Sequence, residues 1–184
     1  MSGKSYLKGK RILAVDDEED VLETIEDILD ESRVERAKDY ETASRKLKEG
    51  GYDLAILDIM GVDGLKLLEE AVEKGIPAVM LTAHAINPEA LMASIRKGAI
   101  SYLPKERLAD LDAMLNELLA ANERGEPTWK LLFEKLGEYF DERFGPGWKE
   151  KDKEFWSEFS RTYQVGKGIR ERLLHDRGIR DKGI

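Results

Sequence analysis

Apolar residues along this chain fall into two rhythms. Short runs that are apolar almost throughout occur at RILAV (11–15), LAIL (54–57), AVML (78–81) and ISYL (100–103), with a more polar fifth candidate at RVERAK (33–38). Runs of this length read as strands, and LAIL and AVML as strands covered on both faces. Between them the spacing becomes helical. Val21, Leu22, Ile25, Ile28 and Leu29 form one stripe, and Leu65, Leu67, Leu68 and Val72 another. Leu91 and Ile95, then Leu108, Leu111, Leu115, Leu118 and Leu119, supply the rest. Regular strand–helix alternation predicts an α/β fold, a doubly wound five-stranded parallel sheet with five helices on its two sides. Gly50-Gly51, Gly75-Ile76-Pro77 and Gly98 are placed to end the second, third and fourth helices. Pro88 suits the first turn of the fourth helix, with Asn87 as its cap.

The alternation breaks at NERGEPT (122–128). Beyond Pro127, residues Trp129, Leu132, Phe133, Leu136, Phe140 and Phe144 form an amphipathic helical stripe, which Gly145-Pro146-Gly147 stops. A second stripe carries Trp148, Phe155, Trp156, Phe159 and Tyr163. The tail holds Gly166, Gly168, Gly178 and Gly183 and is expected to be frayed or partly helical. The pattern therefore divides the chain into an α/β domain at 9–122, a linker at 123–128 and an all-α extension at 129–184. Burying a Phe or Leu contributes roughly 1.5–3 kcal/mol, so these rings will not stay in water. They pack on the first domain, on each other, or on a second subunit. Trp129, Phe133, Leu136, Phe140 and Trp156 are the expected partner or homodimer packing residues. The extension carries no zinc pattern, nucleotide loop or convincing helix-turn-helix.

Charge and composition narrow the classes. Residues 1–122 hold 25 acidic and 16 basic side chains, a net of −9, against a net of +1 beyond. An acidic body argues against general nucleic-acid binding by the first domain, although the stretch from Arg161 on is mildly basic. There is no cysteine, which excludes disulfides, thiolate metal sites and cysteine nucleophiles. No apolar run approaches a membrane span, and the first residues lack a signal-type apolar core. A soluble cytoplasmic protein is expected.

In an open parallel sheet, ligands bind beyond the carboxyl ends of the strands, where strand order reverses. The first strand run is followed by Asp16-Asp17-Glu18, the third by Asp58, the fourth by Thr82, and the fifth, after Pro104, by Lys105. Carboxylates, a hydroxyl and an ammonium thus converge on one edge. Two like charges ~4 Å apart at an effective dielectric near ~20 repel by about 4 kcal/mol, and a hard divalent cation such as Mg2+ relieves this. The metal, the ammonium and the hydroxyl then share the charge of a phosphoryl group transferring to an aspartate nucleophile. Singly, each residue has a simpler reading: Asp16 and Asp17 as helix caps, Asp58 and Thr82 as strand-end residues, Tyr102 as packing, Lys105 as a solvated lysine. His84 and His175 read as ordinary surface histidines.

The segments VDDEED (15–20), LAILDIM (54–60), VMLTAH (79–84) and SYLPKE (101–106), in this order and spacing over roughly residues 9–122, resemble the response-regulator receiver domains of two-component signalling. The resemblance implies a flavodoxin-like fold and Asp58 as phosphoacceptor. It implies Mg2+ on Asp16, Asp17, Asp58 and the backbone carbonyl of Met60. Thr82 becomes the switch hydroxyl, Tyr102 the aromatic that moves with it, and Lys105 the partner of the phosphoryl oxygens. A sensor histidine kinase or a phosphotransfer protein becomes the expected phosphodonor. Two departures stand out. The loop Asp58-Ile59-Met60-Gly61-Val62-Asp63-Gly64 is two residues shorter than the family's usual Asp-x-x-Met-Pro-x-x-Asp-Gly and lacks its proline. The lysine is usually followed by a proline, whereas here Pro104 precedes Lys105 and Glu106 follows.

The leading expectation is a phosphorylation-dependent switch of a partner-binding or dimerisation surface, not an enzyme acting on other molecules. A constitutive interaction module with a little-used receiver site is the alternative from another class. An aspartate-nucleophile phosphohydrolase is a third, for which the usual Asp-x-Asp motif is missing, since Met60 stands two places after Asp58.

Overall fold

A computed structural model describes residues 5–83, 87–145 and 147–165, with the side chains of 151 and 160–165 left out. The chain divides into two compact units, Met1–Leu119 and Ala120–Ile184.

In the first unit, strands β1 (Arg11–Val15), β2 (Arg33–Ala37), β3 (Leu54–Asp58), β4 (Ala78–Thr82) and β5 (Ser101–Pro104) form one sheet in the order β2-β1-β3-β4-β5. Every pairing is parallel. All residues of β3, β4 and β5 are buried, as the unbroken apolar runs required. Outermost β2 is mostly half-exposed, which explains its mixed sequence. Helices α1 (Glu19–Ile28), α2 (Tyr40–Glu49), α3 (Gly64–Glu73) and α4 (Pro88–Arg96) alternate with the strands, and a 3-10 turn (Lys105–Asp110) leads into α5 (Leu111–Glu123). The sequence stripe beginning at Leu108 therefore starts in the 3-10 turn, before α5 itself.

Local chemistry fixes the helix starts. Asp39 accepts from the Thr42 amide at 2.7 Å and caps α2. Asn87 accepts from the Ala90 amide at 2.7 Å, with Pro88 in the first turn of α4. Asp16 does not cap α1; Glu18 occupies the cap position without a side-chain cap bond. Leu22, Ile25 and Leu29 face the core. Gly50, Gly75 and Gly98, all at positive φ, follow the second, third and fourth helices as the sequence predicts.

The second unit contains α6 (Thr128–Phe144), a 3-10 turn (Trp148–Asp152) and α7 (Lys153–Val165). Gly145, at φ 89°, ends α6. Rings from all three segments meet edge to face, with centroids 5.9 Å apart for Phe133–Trp156, 5.0 Å for Trp148–Trp156 and 5.6 Å for Phe133–Phe159. Of the expected packing residues Trp129, Phe133, Leu136, Phe140 and Trp156, the rings contact one another within this unit. Leu136, Phe140 and Trp156 are already buried in the single chain, and Trp129 and Phe133 contact Phe159. Leu132 and Trp148 are buried as well, while Trp129, Phe133, Phe144, Phe155 and Phe159 are half-buried. Tyr163 and the tail from Gly166 lie outside the side chains and residues described.

Candidate functional site

Strand register brings the functional residues to one edge. Val15 lies opposite Leu57, Asp58 opposite Leu81, and Thr82 opposite Pro104. The residues at or just beyond these ends, namely Asp16, Asp58, Thr82 and Lys105, therefore emerge together at the carboxyl side of the three central strands and β5. Sheet order reverses between β1 and β3, which is where a doubly wound sheet leaves a crevice.

Three carboxylates meet there. Asp16, Asp17 and Asp58 each place an oxygen within 4.8 Å of the others. Asp16 is fully buried, Asp58 is 3% exposed and Asp17 faces solvent. Burial, and next the Asp16 charge, push the Asp58 carboxyl up to about 6. Burial likewise raises Asp16, against the pull of Lys105. Lys105 answers this excess negative charge. Its Nζ lies 2.7 Å from Asp16 Oδ2 and 3.3 Å from Asp58 Oδ1. Burial alone would push the lysine down, but its bond to Asp16 and the charges of Asp58 and Asp16 hold it above its ordinary value. The unusual Pro104-Lys105 order thus still delivers the ammonium to the cluster.

Asp16 Oδ1 accepts from the Glu18 amide at 2.9 Å. Its other oxygen, Oδ2, is buried and faces the Lys105 ammonium. An all-oxygen donor set of two buried carboxylates and one solvent-facing carboxylate fits a hard divalent cation that keeps several waters. Met60 sits in the turn after Asp58 with its side chain 67% exposed.

Thr82 ends β4 and is 5% exposed; Tyr102, on β5, is fully buried. Burial pushes the Tyr102 hydroxyl up to about 12, with a bond to the Thr82 side chain acting the other way. The structure thus brings Asp16, Asp17, Asp58 and Lys105 into one cluster, with Thr82 at the end of the adjoining strand β4 and Tyr102 buried on β5. His84 and His175 lie outside the described residues.

Sequence reasoning passed over three positions. Glu18 Oε2 lies 3.6 Å from Lys105 Nζ, a third acid on the same ammonium. A Cβ on Gly61, at φ 82°, would lie 2.7 Å from Asp17 Oδ2. A Cβ on Gly64 would lie 1.9 Å from the Asp58 carbonyl oxygen. The shortened loop closes by laying the start of α3 directly on the Asp58 backbone, and only glycine permits that approach. Asp63, just before it, adopts a left-handed φ of 55°. The shortness of the loop was the available signal.

The strand order defines a flavodoxin-like α/β module with a cluster of acids and a lysine at the carboxyl edge of its sheet. The response regulator receiver domain family matches residues 12–116, and the chain belongs to that family. Two curated relatives are the two-component response regulators ARR10 and ARR18 of Arabidopsis thaliana. They are 36% and 37% identical over 104 and 103 residues, in each case 53% of this chain. The match spans only 19% and 16% of those relatives' length. Among solved structures, a receiver domain protein (CheY-like) from Methanospirillum hungatei JF-1 superposes with a TM-score of 0.57 at 30% identity, covering 64% of this chain and 98% of its own. A response regulator from Chloroflexus aurantiacus J-10-fl gives 0.55 at 30% identity, covering 61% and 99%. No helix among the described residues is long and apolar enough to cross a membrane.

Proposed function

We propose that this chain is a two-component response regulator that accepts a phosphoryl group on Asp58. The observation that carries the reading is Lys105 Nζ, set between Asp16 and Asp58 in a three-carboxylate cluster. An Asp58 carboxylate oxygen attacks the donor phosphorus. A new P–O bond forms, and the donor's bond to phosphorus breaks with its electron pair leaving on the donor. A sensor histidine kinase or a phosphotransfer protein supplies the group. Asp16, Asp17, Asp58 and the Met60 carbonyl would hold Mg2+, which when bound neutralises charge on the phosphoryl oxygens. Lys105 exchanges its contact with the Asp58 carboxylate for one with the phosphoryl group. The Thr82 hydroxyl donates to a phosphoryl oxygen, releasing its hold on Tyr102 and altering the surface around α4 and β5 for a partner or a second copy. The protein acts in the cytoplasm, and its chemistry is confined to its own phosphorylation and dephosphorylation.

The tight loop favours a second reading, a constitutive interaction module. A side chain at Gly61 would meet the Asp17 carboxylate and one at Gly64 the Asp58 backbone, so the loop lies close against two of the three acids. The phosphohydrolase reading has less support, since position 60 carries a methionine in place of a second acid.

The test is intact mass after incubation with Mg2+ and acetyl phosphate. A gain of one phosphate, absent in Asp58→Asn and absent without Mg2+, is expected. No gain, together with no Mg2+ binding by titration, favours the constitutive module.

A further inference from the structure

The helical unit seats a cation among three aromatic rings. Lys149 Nζ lies 5.0 Å from the Phe133 ring centroid, 5.2 Å from Trp156 and 5.5 Å from Trp148. The three rings stand around this ammonium, packed edge to face. Phe133 stands at 85° to the plane of Trp156 and Trp148 at 84° to it. Trp148 and Trp156 are 4% and 6% exposed, and the Trp148 indole N–H donates to Asp141 Oδ1 at 2.8 Å. Two of the three walls are therefore fixed before any ligand arrives. Ring faces attract cations through their quadrupole, most strongly for tryptophan.

The present occupant is held by little else. Lys149 is exposed and has no carboxylate within ion-pair distance among the described residues. A primary ammonium is compact and strongly hydrated, so it gives up much water to sit against rings. A quaternary ammonium has no N–H to hydrate and turns methyl groups to every wall. Independently, the Trp156 indole N–H is buried with no acceptor among the described residues. Buried donors in native structures are nearly always satisfied, so this one points to an acceptor atom arriving with a ligand.

We propose that Phe133, Trp148 and Trp156 form a binding site for a small quaternary ammonium compound bearing an oxygen acceptor, of the choline or betaine type, and that Lys149 is the intramolecular occupant it displaces. The site belongs to the helical unit and does not depend on phosphoryl chemistry at Asp58.

The test is tryptophan fluorescence of the full chain titrated with choline, in the parent and in Lys149→Ala. All three tryptophans (129, 148 and 156) lie in this unit. The uncharged tert-butyl analogue, 3,3-dimethylbutan-1-ol, is the control. Saturable change with choline and none with the alcohol is expected, with binding about two- to fivefold tighter in Lys149→Ala because the competing ammonium is gone. Phe133→Leu, which removes one wall but keeps an apolar side chain, should weaken binding by a similar factor. Equal responses to choline and the alcohol overturn the proposal, as does no saturable response in proteins whose near-UV dichroism shows ordered tryptophans. Should Lys149→Ala lose that dichroism, the comparison of choline with the alcohol in the parent decides.

Discussion

Replacing Asp58 by asparagine is expected to stabilise the α/β unit at pH 8 and to leave it nearly unchanged at pH 4. Burial and the Asp16 charge raise the folded carboxyl from 3.8 to about 6. Between those values the folded state holds a proton that the unfolded state has released, so stability falls as pH rises through the window. The contribution is fully present below the unfolded value and is lost as pH climbs past about 6. A gap of roughly 2 pH units, at about 1.4 kcal/mol each, corresponds to about 3 kcal/mol. Asparagine carries no charge to desolvate and escapes this loss, while Lys105 keeps its 2.7 Å contact with Asp16. For a unit of this size the gain in melting temperature at pH 8 is roughly 10 °C. The assay is thermal unfolding by far-UV dichroism at pH 4, 6 and 8 in a chelator, so that no metal competes with the proton. Tryptophan emission follows the helical unit separately. A gain of equal size at pH 4 and pH 8, or a less stable variant at pH 8, would refute the reasoning.

Gly64→Ala places a methyl group 1.9 Å from the Asp58 carbonyl oxygen. Because the obstacle is backbone, the variant should lose roughly 2–4 kcal/mol in urea unfolding; an unchanged midpoint would mean the loop is not held there. Lys105→Met strands two buried carboxylates and should destabilise the unit by about 3 kcal/mol at pH 8 and less at pH 4, where Asp58 is protonated. A loss independent of pH in the same melting series would show that the lysine does not compensate their charge.

Much of this was legible in the chain because burial and register leave simple marks. LAIL and AVML are buried on both faces and carry no polar position. β2 was less clear because an outer strand alternates partners, with Glu35 bonded to Arg11 and Arg36 to Glu19 and Glu26. Neighbouring identical letters hid a difference at the site: Asp16 is fully buried while Asp17 faces solvent. The short loop was visible, but not that it saves length by resting Gly64 on Asp58, since that contact is set by where α3 docks. In the helical unit the sequence gives stripes of rings, whereas their mutual angles, and the lysine among them, arise only once the Gly145 turn folds the second stripe onto the first.

The two ends of the sheet bear on how this protein behaves when crowded. An outermost strand offers unpaired amides and carbonyls on which another chain can template itself, the usual route into fibres. β2, on one side, carries Arg33, Glu35 and Arg36 within five residues, charges that an incoming apolar strand would have to strip of water. β5, on the other, is four residues long and finishes in Pro104, which has no amide to donate. Both borders are therefore poor seeds, so a fold whose three inner strands are almost wholly apolar can accumulate in a cell without recruiting its neighbours into a growing sheet.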